Sequence, residues 1–459
     1  MTNSSIELIY VSACETFCGL LFTPYSYKLS NIYLYGSQDP NSELYPVSTM
    51  ISPPGLTSSS SSSESPLVSA GPHIAYGRMR RWLGIAYVGV VVTACSIVLS
   101  FDLSRSIFPA SSQSMASLAL NLTGTILLFS LCSLPFDIVG FNIERLYGRT
   151  TSSLSAFLAK QVAAAFRHGA ILLAMALIAA SVSSVFGLVG LLISSVFLSC
   201  CLLAGQLTLA KFYGGFSCQR APGHVARTAL ERPKSLPLIL ADADERCFSG
   251  GIVGLPFFES IVIPKQWLVQ FSPPQLSAEL ARRNLIVASG GRFRGVLLAL
   301  IFTNIGVLLA ALLTTGHFLL PLNSVAGLVT MSAGFTLWSF VGLLLLPLFS
   351  HYGVYEADRL ALESGVDKEL LFQIIAKIDA DLEDEQERTV AVDTIFHPVP
   401  TIAYRLQALE QKRQINQGMA AWQAARYAIF LSVIGLGLLG RAVHCNAGKP
   451  ELWAMLPAD

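Results

Sequence analysis

Long uncharged apolar runs alternate with polar segments along this chain. Trp82 to Phe101 carries no charge over about 20 residues, which at 1.5 Å per helical residue spans roughly 30 Å, the thickness of a bilayer's hydrocarbon core. Ala116 to Leu134 predicts a second span. The uncharged stretch from Ala170 to Ala210 is about twice the length of one crossing, so it must fold back, near Gly187 or Gly190, as spans three and four. Gly295 to Ser350 also lacks Asp, Glu, Lys and Arg, and Pro321 with Asn323 supplies a turn near its middle, giving spans five and six. Tyr427 to Gly440 is short for a crossing and predicts a seventh span over 427–443 if Arg426 and Arg441 both reach out to the interfaces.

The intervening segments fix the organisation. Residues 1–75, with their run from Ser58 to Ser63 and no sustained periodicity, read as a Ser/Pro-rich disordered extension. Ile6 to Phe22 is apolar, but Glu7 and Glu15 with no early Lys or Arg argue against a cleaved signal peptide. Four spans then occupy 76–210. A polar segment, 211–294, precedes the hairpin 295–350, and a second, 351–426, precedes the seventh span and the tail 444–459. The fold class expected is mostly α, a multi-pass transmembrane helical bundle with a helical extramembrane domain. With a cytoplasmic N-terminus, 27 of the 30 Lys and Arg residues fall inside, leaving Arg105, Arg441 and Lys449 outside. The two long polar segments thus share the cytoplasmic face, and a cell (inner) membrane is the expected location if the source is bacterial.

Composition agrees, at 53% apolar and only 13% charged residues. A net charge of +1 gives no global field toward nucleic acid. Nine cysteines without CxxC spacing, among them Cys95, Cys132, Cys200 and Cys201 inside apolar runs, indicate neither disulfides nor a zinc knuckle. The seven histidines (His73, His168, His224, His317, His351, His397 and His444) include no i, i+3 or i, i+4 pair, so no helix alone presents two imidazoles to a metal. The charged run Asp379 to Arg388 reads as a solvated helix face.

Four elements carry a resemblance. Leu134-Pro135-Phe136 is followed by Glu144-Arg145-Leu146-Tyr147-Gly148. Later, Ser272-Pro273-Pro274-Gln275-Leu276 starts a helix containing Glu279-Leu280-Ala281, with Ser272 placed to cap it. Val354-Tyr355-Glu356-Ala357-Asp358 follows spans five and six, and His397-Pro398 precedes Arg405. Over residues 134–410 this order resembles the CAAX prenyl protease family of membrane zinc metallopeptidases. The resemblance implies that the first ligand histidine falls on Arg282, the catalytic glutamate on Arg283, the second histidine on Ile286 and the third, glutamate ligand on Val354. An alternative register places the triad on Ala278, Glu279 and Arg282 and still supplies no histidine. Glu356, Asp358, His397 and Arg405 are the family-motif residues retained.

A guanidinium has no lone pair to donate and stays protonated, so it can neither bind Zn²⁺ nor take a proton from a metal-bound water. The expectation is therefore a membrane pseudoprotease with no catalytic residues, no metal and no cofactor, acting by binding or regulation. Its partners would be the bilayer and membrane or lipidated polypeptides, not nucleic acid. The alternatives are an active zinc metalloendopeptidase with substituted ligands, and a transporter-like protein, disfavoured because the spans lack charge. An ion pair between Arg282 or Arg283 and Asp358 is expected where the metal would sit.

Overall fold

A computed structural model describes residues 74–459 except 216, 223–235, 243–247, 383–391, 395–396, 398, 411–417, 444–445 and 455–459. The expected extension, His224, His444 and most of the charged run after Asp379 therefore lie outside the described residues.

Among the described residues, five helices are long and apolar enough to cross a membrane: α1 (Tyr76–Ser100), α2 (Met115–Leu146), α3 (Leu154–Ala204), and the helices that begin at Gly291 and Val325. Only 28 to 39% of the residues in their most apolar windows are buried inside the protein, as expected where lipid replaces water. The protein is a multi-pass membrane protein.

The 51-residue helix α3 is broken at Gly187, whose φ of 59° and ψ of −149° suit only glycine. Beyond the break the chain turns back. Arg167 donates to the Phe212 carbonyl at 2.9 Å and the His168 ring lies 5.7 Å from that of Tyr213, contacts that a straight helix spanning both would hold tens of ångströms apart. Helix α4 (Gln206–Gly214) carries these partners of the first arm.

The first polar segment departs from the expected all-helical form. It contains a four-stranded sheet, β1 (Ser217–Arg220), β2 (Leu238–Asp242), β3 (Gly251–Val253) and β4 (Ser260–Pro264), in the order β1-β2-β4-β3. Only the β2–β4 pairing is parallel. Strand alternation sorts the side chains by face. Leu238, Leu240, Ile261 and Ile263 pack under α5 (Pro273–Ala288) and the later helix that carries Leu371, Ile374 and Ile375. Ala241 and Val262 face Ala210, Tyr213, Leu452 and Ala454 instead. At the start of α5, Pro273 and Pro274 follow Ser272, whose backbone N–H donates to Gln275 Oε1 at 3.2 Å.

Helices α6 (Gly291–Leu312) and α7 (Val325–Leu345) form the expected hairpin, joined through a π-helical turn over Leu313–His317. Then come α8 (His351–Glu363), α9 (Lys368–Leu382), α10 (Ile402–Glu410) and α11 (Gly418–Leu431). Helices α6 and α11 cross in close contact: a Cβ on Gly295 would lie 2.4 Å from Gln423 Cβ, and one on Gly291 would meet the Met419 side chain.

The expected seventh span over 427–443 is not one continuous helix. Helix α11 ends at Leu431, and short 3-10 turns follow at Ser432–Gly435 and Leu439–Arg441. The chain reaches the middle of α7, where Ser332 donates to the Leu436 carbonyl and Thr336 accepts from Leu438 N–H, and then returns. Arg441 does not extend to an interface. It donates to Asp137 at 2.7 Å, and Lys449 lies 3.0 Å from Glu144, so both cations sit beside the same ends of α1 and α2 as Arg80 and Arg81, not across the bundle. The far end is marked by Arg105, which donates to the Phe318 carbonyl. Residues 446–454 are also integral to the fold, with Lys449, Leu452 and Ala454 buried.

Candidate functional site

The side chains at issue converge where α5, α8, α10 and α11 meet the sheet. Residues Arg282 and Arg283 occupy the inner turn of α5 and are both essentially inaccessible. Their guanidiniums point to different partners because successive helical residues are about 100° apart.

Arg282 Nε donates to Asp358 Oδ1 at 3.0 Å. Asp358 is also gripped by Arg405, from Nε to Oδ2 at 2.7 Å and from Nη2 to Oδ1 at 2.6 Å. That two-point contact matches the guanidinium fork to the carboxylate plane. Burial alone would raise the Asp358 carboxyl, but Arg405 first and Arg282 second hold it below the usual carboxylate range. Burial likewise opposes the Arg282 charge, while Glu279 and Asp358 together raise the group above its ordinary value.

Arg283 turns away from Asp358. It donates to Glu279 Oε1 at 2.8 Å and to the carbonyls of Val262 and Ser249 at 3.2 and 2.9 Å, joining α5 to the sheet. Here burial dominates and lowers the group from its ordinary value despite Glu279. A further arginine, Arg292 on the first turn of α6, donates to Glu259 at 2.9 Å and to Tyr427 Oη at 2.9 Å, and Tyr427 donates to the Ile252 carbonyl at 3.1 Å.

The other two motif positions are filled by hydrocarbon. Ile286 and Val354, both fully buried, lie in one cluster with Ile252, Ala357, Met419 and Trp422. The Arg282 guanidinium lies 5.9 Å from the Trp422 ring and the Arg426 guanidinium 5.6 Å from it. Two guanidiniums, an isoleucine and a valine do not fit Zn²⁺, since none has a donor atom for it and the arginines would repel a dication. Among the described residues no group of three or more His, Cys, Asp or Glu side chains is placed to hold a metal.

The remaining motif residues separate. Glu356 faces away from Asp358 and accepts from Met419 N–H at 2.9 Å, placing a carboxylate at the start of α11, where the helix dipole favours negative charge. His397 pairs its Nε2 with Arg81 at 3.0 Å. The His351 ring meets the His397 carbonyl at 2.8 Å and stands 3.9 Å from Asp393, so the two imidazoles do not converge on one point. Burial lowers the His351 group, against the raising effects of the His397 carbonyl and Asp393.

Glu144 of the first motif belongs to a different cluster, with Tyr76, Arg80 and Lys449. Asp137, one residue past Leu134-Pro135-Phe136, accepts from Arg441 and from Gly448 N–H at 2.9 Å. Sequence reasoning passed over Asp137, Glu259, Arg292 and Trp422. For Asp137 a signal existed, a carboxylate directly after a long uncharged run within one helix, which must find a cation when buried.

No family model matches the chain, and no curated protein does. Seven chains of solved structures match. One is the crystal structure of Ste24p from S. mikatae, 16% identical with a TM-score of 0.52, a likeness that covers 73% of this chain and 83% of that one. It is a likeness of fold.

Proposed function

We propose that the chain is a membrane-embedded pseudoprotease of the CAAX prenyl protease type, which keeps the scaffold and binds membrane polypeptides, lipidated ones included, without cleaving them. One observation carries this reading: of the four positions where the family's chemistry would stand, Arg282 is neutralised by Asp358, Arg283 by Glu279, and Ile286 and Val354 close on each other in an apolar cluster. The fold shared with Ste24p supports the scaffold half of the reading. The cytoplasmic face, in this reading, is the one bearing the sheet and α8 to α10, because positive charge concentrates there.

The test is purification from medium supplemented with zinc, followed by metal analysis and incubation with a prenylated CAAX peptide. Substoichiometric zinc, no cleavage, and saturable retention of the peptide on the reconstituted protein are expected. Near-equimolar zinc, lost to a chelator together with hydrolysis, would establish the metalloendopeptidase alternative. Absence of any peptide retention would remove the binding role.

A further inference from the structure

The loop between β3 and β4, residues 254–259, leads away from the sheet toward the start of α6, and both its ends are held there by one side chain. Arg292 donates to Glu259 and to the Gly254 carbonyl. The turn is tight: Phe258 N–H donates to the Leu255 carbonyl at 3.0 Å, and a Cβ on Gly254 would lie 2.6 Å from the Phe258 carbonyl oxygen. Leu255 is tucked against the bundle cluster formed by Leu203, Val296, Ala299 and Leu431. The loop is therefore seated on the end of the membrane-spanning bundle.

What it presents outward is aromatic. Phe257 and Phe258 are each 80% exposed, and Phe257 is held at a φ of 73°, a conformation an aromatic residue rarely adopts. The Phe257 ring lies 5.4 Å from that of Phe293, which opens the exposed face of α6. That face continues through Leu297, Leu298 and Ile301, each nearly half exposed, as the outer surface of an apolar helix long enough to cross a bilayer. Arg294 is exposed on the same first turn. In water, two aromatic rings held out on a clamped loop would cost hydrophobic free energy with nothing returned. Aromatic rings at the end of a span belong at the headgroup level, with a cation beside them for phosphate.

We infer that Phe257 and Phe258 dip into the headgroup and acyl boundary of the phospholipid bilayer that surrounds α6, continuing its lipid-facing stripe and fixing the sheet at the membrane surface. This rests on the membrane-spanning character of α6, and not on the pseudoprotease reading.

The full chain, reconstituted in phospholipid nanodiscs with benzoylphenylalanine at position 258, would be irradiated and its adducts identified by mass spectrometry. The same substitution at Glu363, exposed at the end of α8, serves as the reference. Lipid adducts at 258 in several-fold excess over those at 363 are expected. Crosslinks at 258 to protein alone, or lipid adducts no more abundant than at 363, would overturn the inference. An independent variant, Phe258→Trp, is expected to add fluorescence quenched more by lipids brominated near the headgroup end of the acyl chain than by lipids brominated near its tip. Added fluorescence unaffected by either lipid would equally overturn it.

Discussion

Asp358 holds two guanidiniums, and its removal would take the carboxylate partner from Arg405 and leave Arg282 with Glu279 at 3.6 Å. Asp358→Ala should cost about 3 to 5 kcal/mol, the range for breaking a buried pair and stranding its partner. In a double-mutant cycle read by denaturant unfolding in detergent micelles, the coupling of Asp358 to Arg405 should exceed that to Arg282. Arg405 makes two contacts at 2.6 and 2.7 Å where Arg282 makes one at 3.0 Å. Equal couplings, or additive effects, would show that the fork geometry contributes nothing. The acid limb of stability follows from the same carboxylate. Its folded pKa is depressed, so its contribution is fully present above the unfolded value of about 4 and is lost as pH falls through the lower folded value. His351 acts in a higher window. Burial lowers its folded pKa, so the neutral ring binds fewer protons than in the unfolded chain, and stability should decline as pH falls below about 6.5. A His351→Phe variant should weaken that upper part of the acid limb while keeping the part below pH ~4, which unfolding midpoints measured from pH 8 to 3 would resolve.

Elements in this chain are set by length and by glycine placement. Helices α6 and α11 approach closely because Gly291 and Gly295 present no side chain to Met419, Ala420 and Gln423. Gly295→Val should therefore cost about 1 to 3 kcal/mol or more through overpacking, whereas Gly124→Val on α2, where a Cβ would meet nothing within 4 Å, should change stability little. Thermal unfolding of the two variants side by side would check this contrast. The apolar runs that predicted spans one to six correspond to α1, α2, the two arms of α3, and α6 with α7, because a stretch of about 20 uncharged residues has few other stable forms. The break at Gly187 was legible to within the two glycines named. The sheet was not. Its strands of three to five residues are too short for alternation to show, and Ile261-Val262-Ile263, buried on both faces, has no polar partner to reveal a period of two. A contact of Arg282 or Arg283 with Asp358 could be anticipated from the family resemblance together with charge, but Arg405 as the stronger partner, and Arg283 turning to the sheet, depend on packing that no local pattern encodes.

At the scale of the whole molecule, Arg441 and Lys449 lie at the end of the bundle where the first helix begins, and this predicts the topology. Reporters fused after residues 294 and 454 should read the same side of the membrane, and one at Asn323 the other. Opposite readings at 294 and 454 would restore a full seventh crossing. The returning segment is held almost wholly by distant partners: Arg441 by Asp137, Lys449 by Glu144, and the Ala447 carbonyl by Arg80, all more than 300 residues away in sequence. Every helix that it binds is translated before it. During synthesis the first three helices are therefore made before Arg441, the cation paired with Asp137, and before Lys449, which joins Arg80 beside Glu144. A nascent chain that has not reached Arg441 would thus hold Asp137 buried without its ion pair, a cost that the later segment removes.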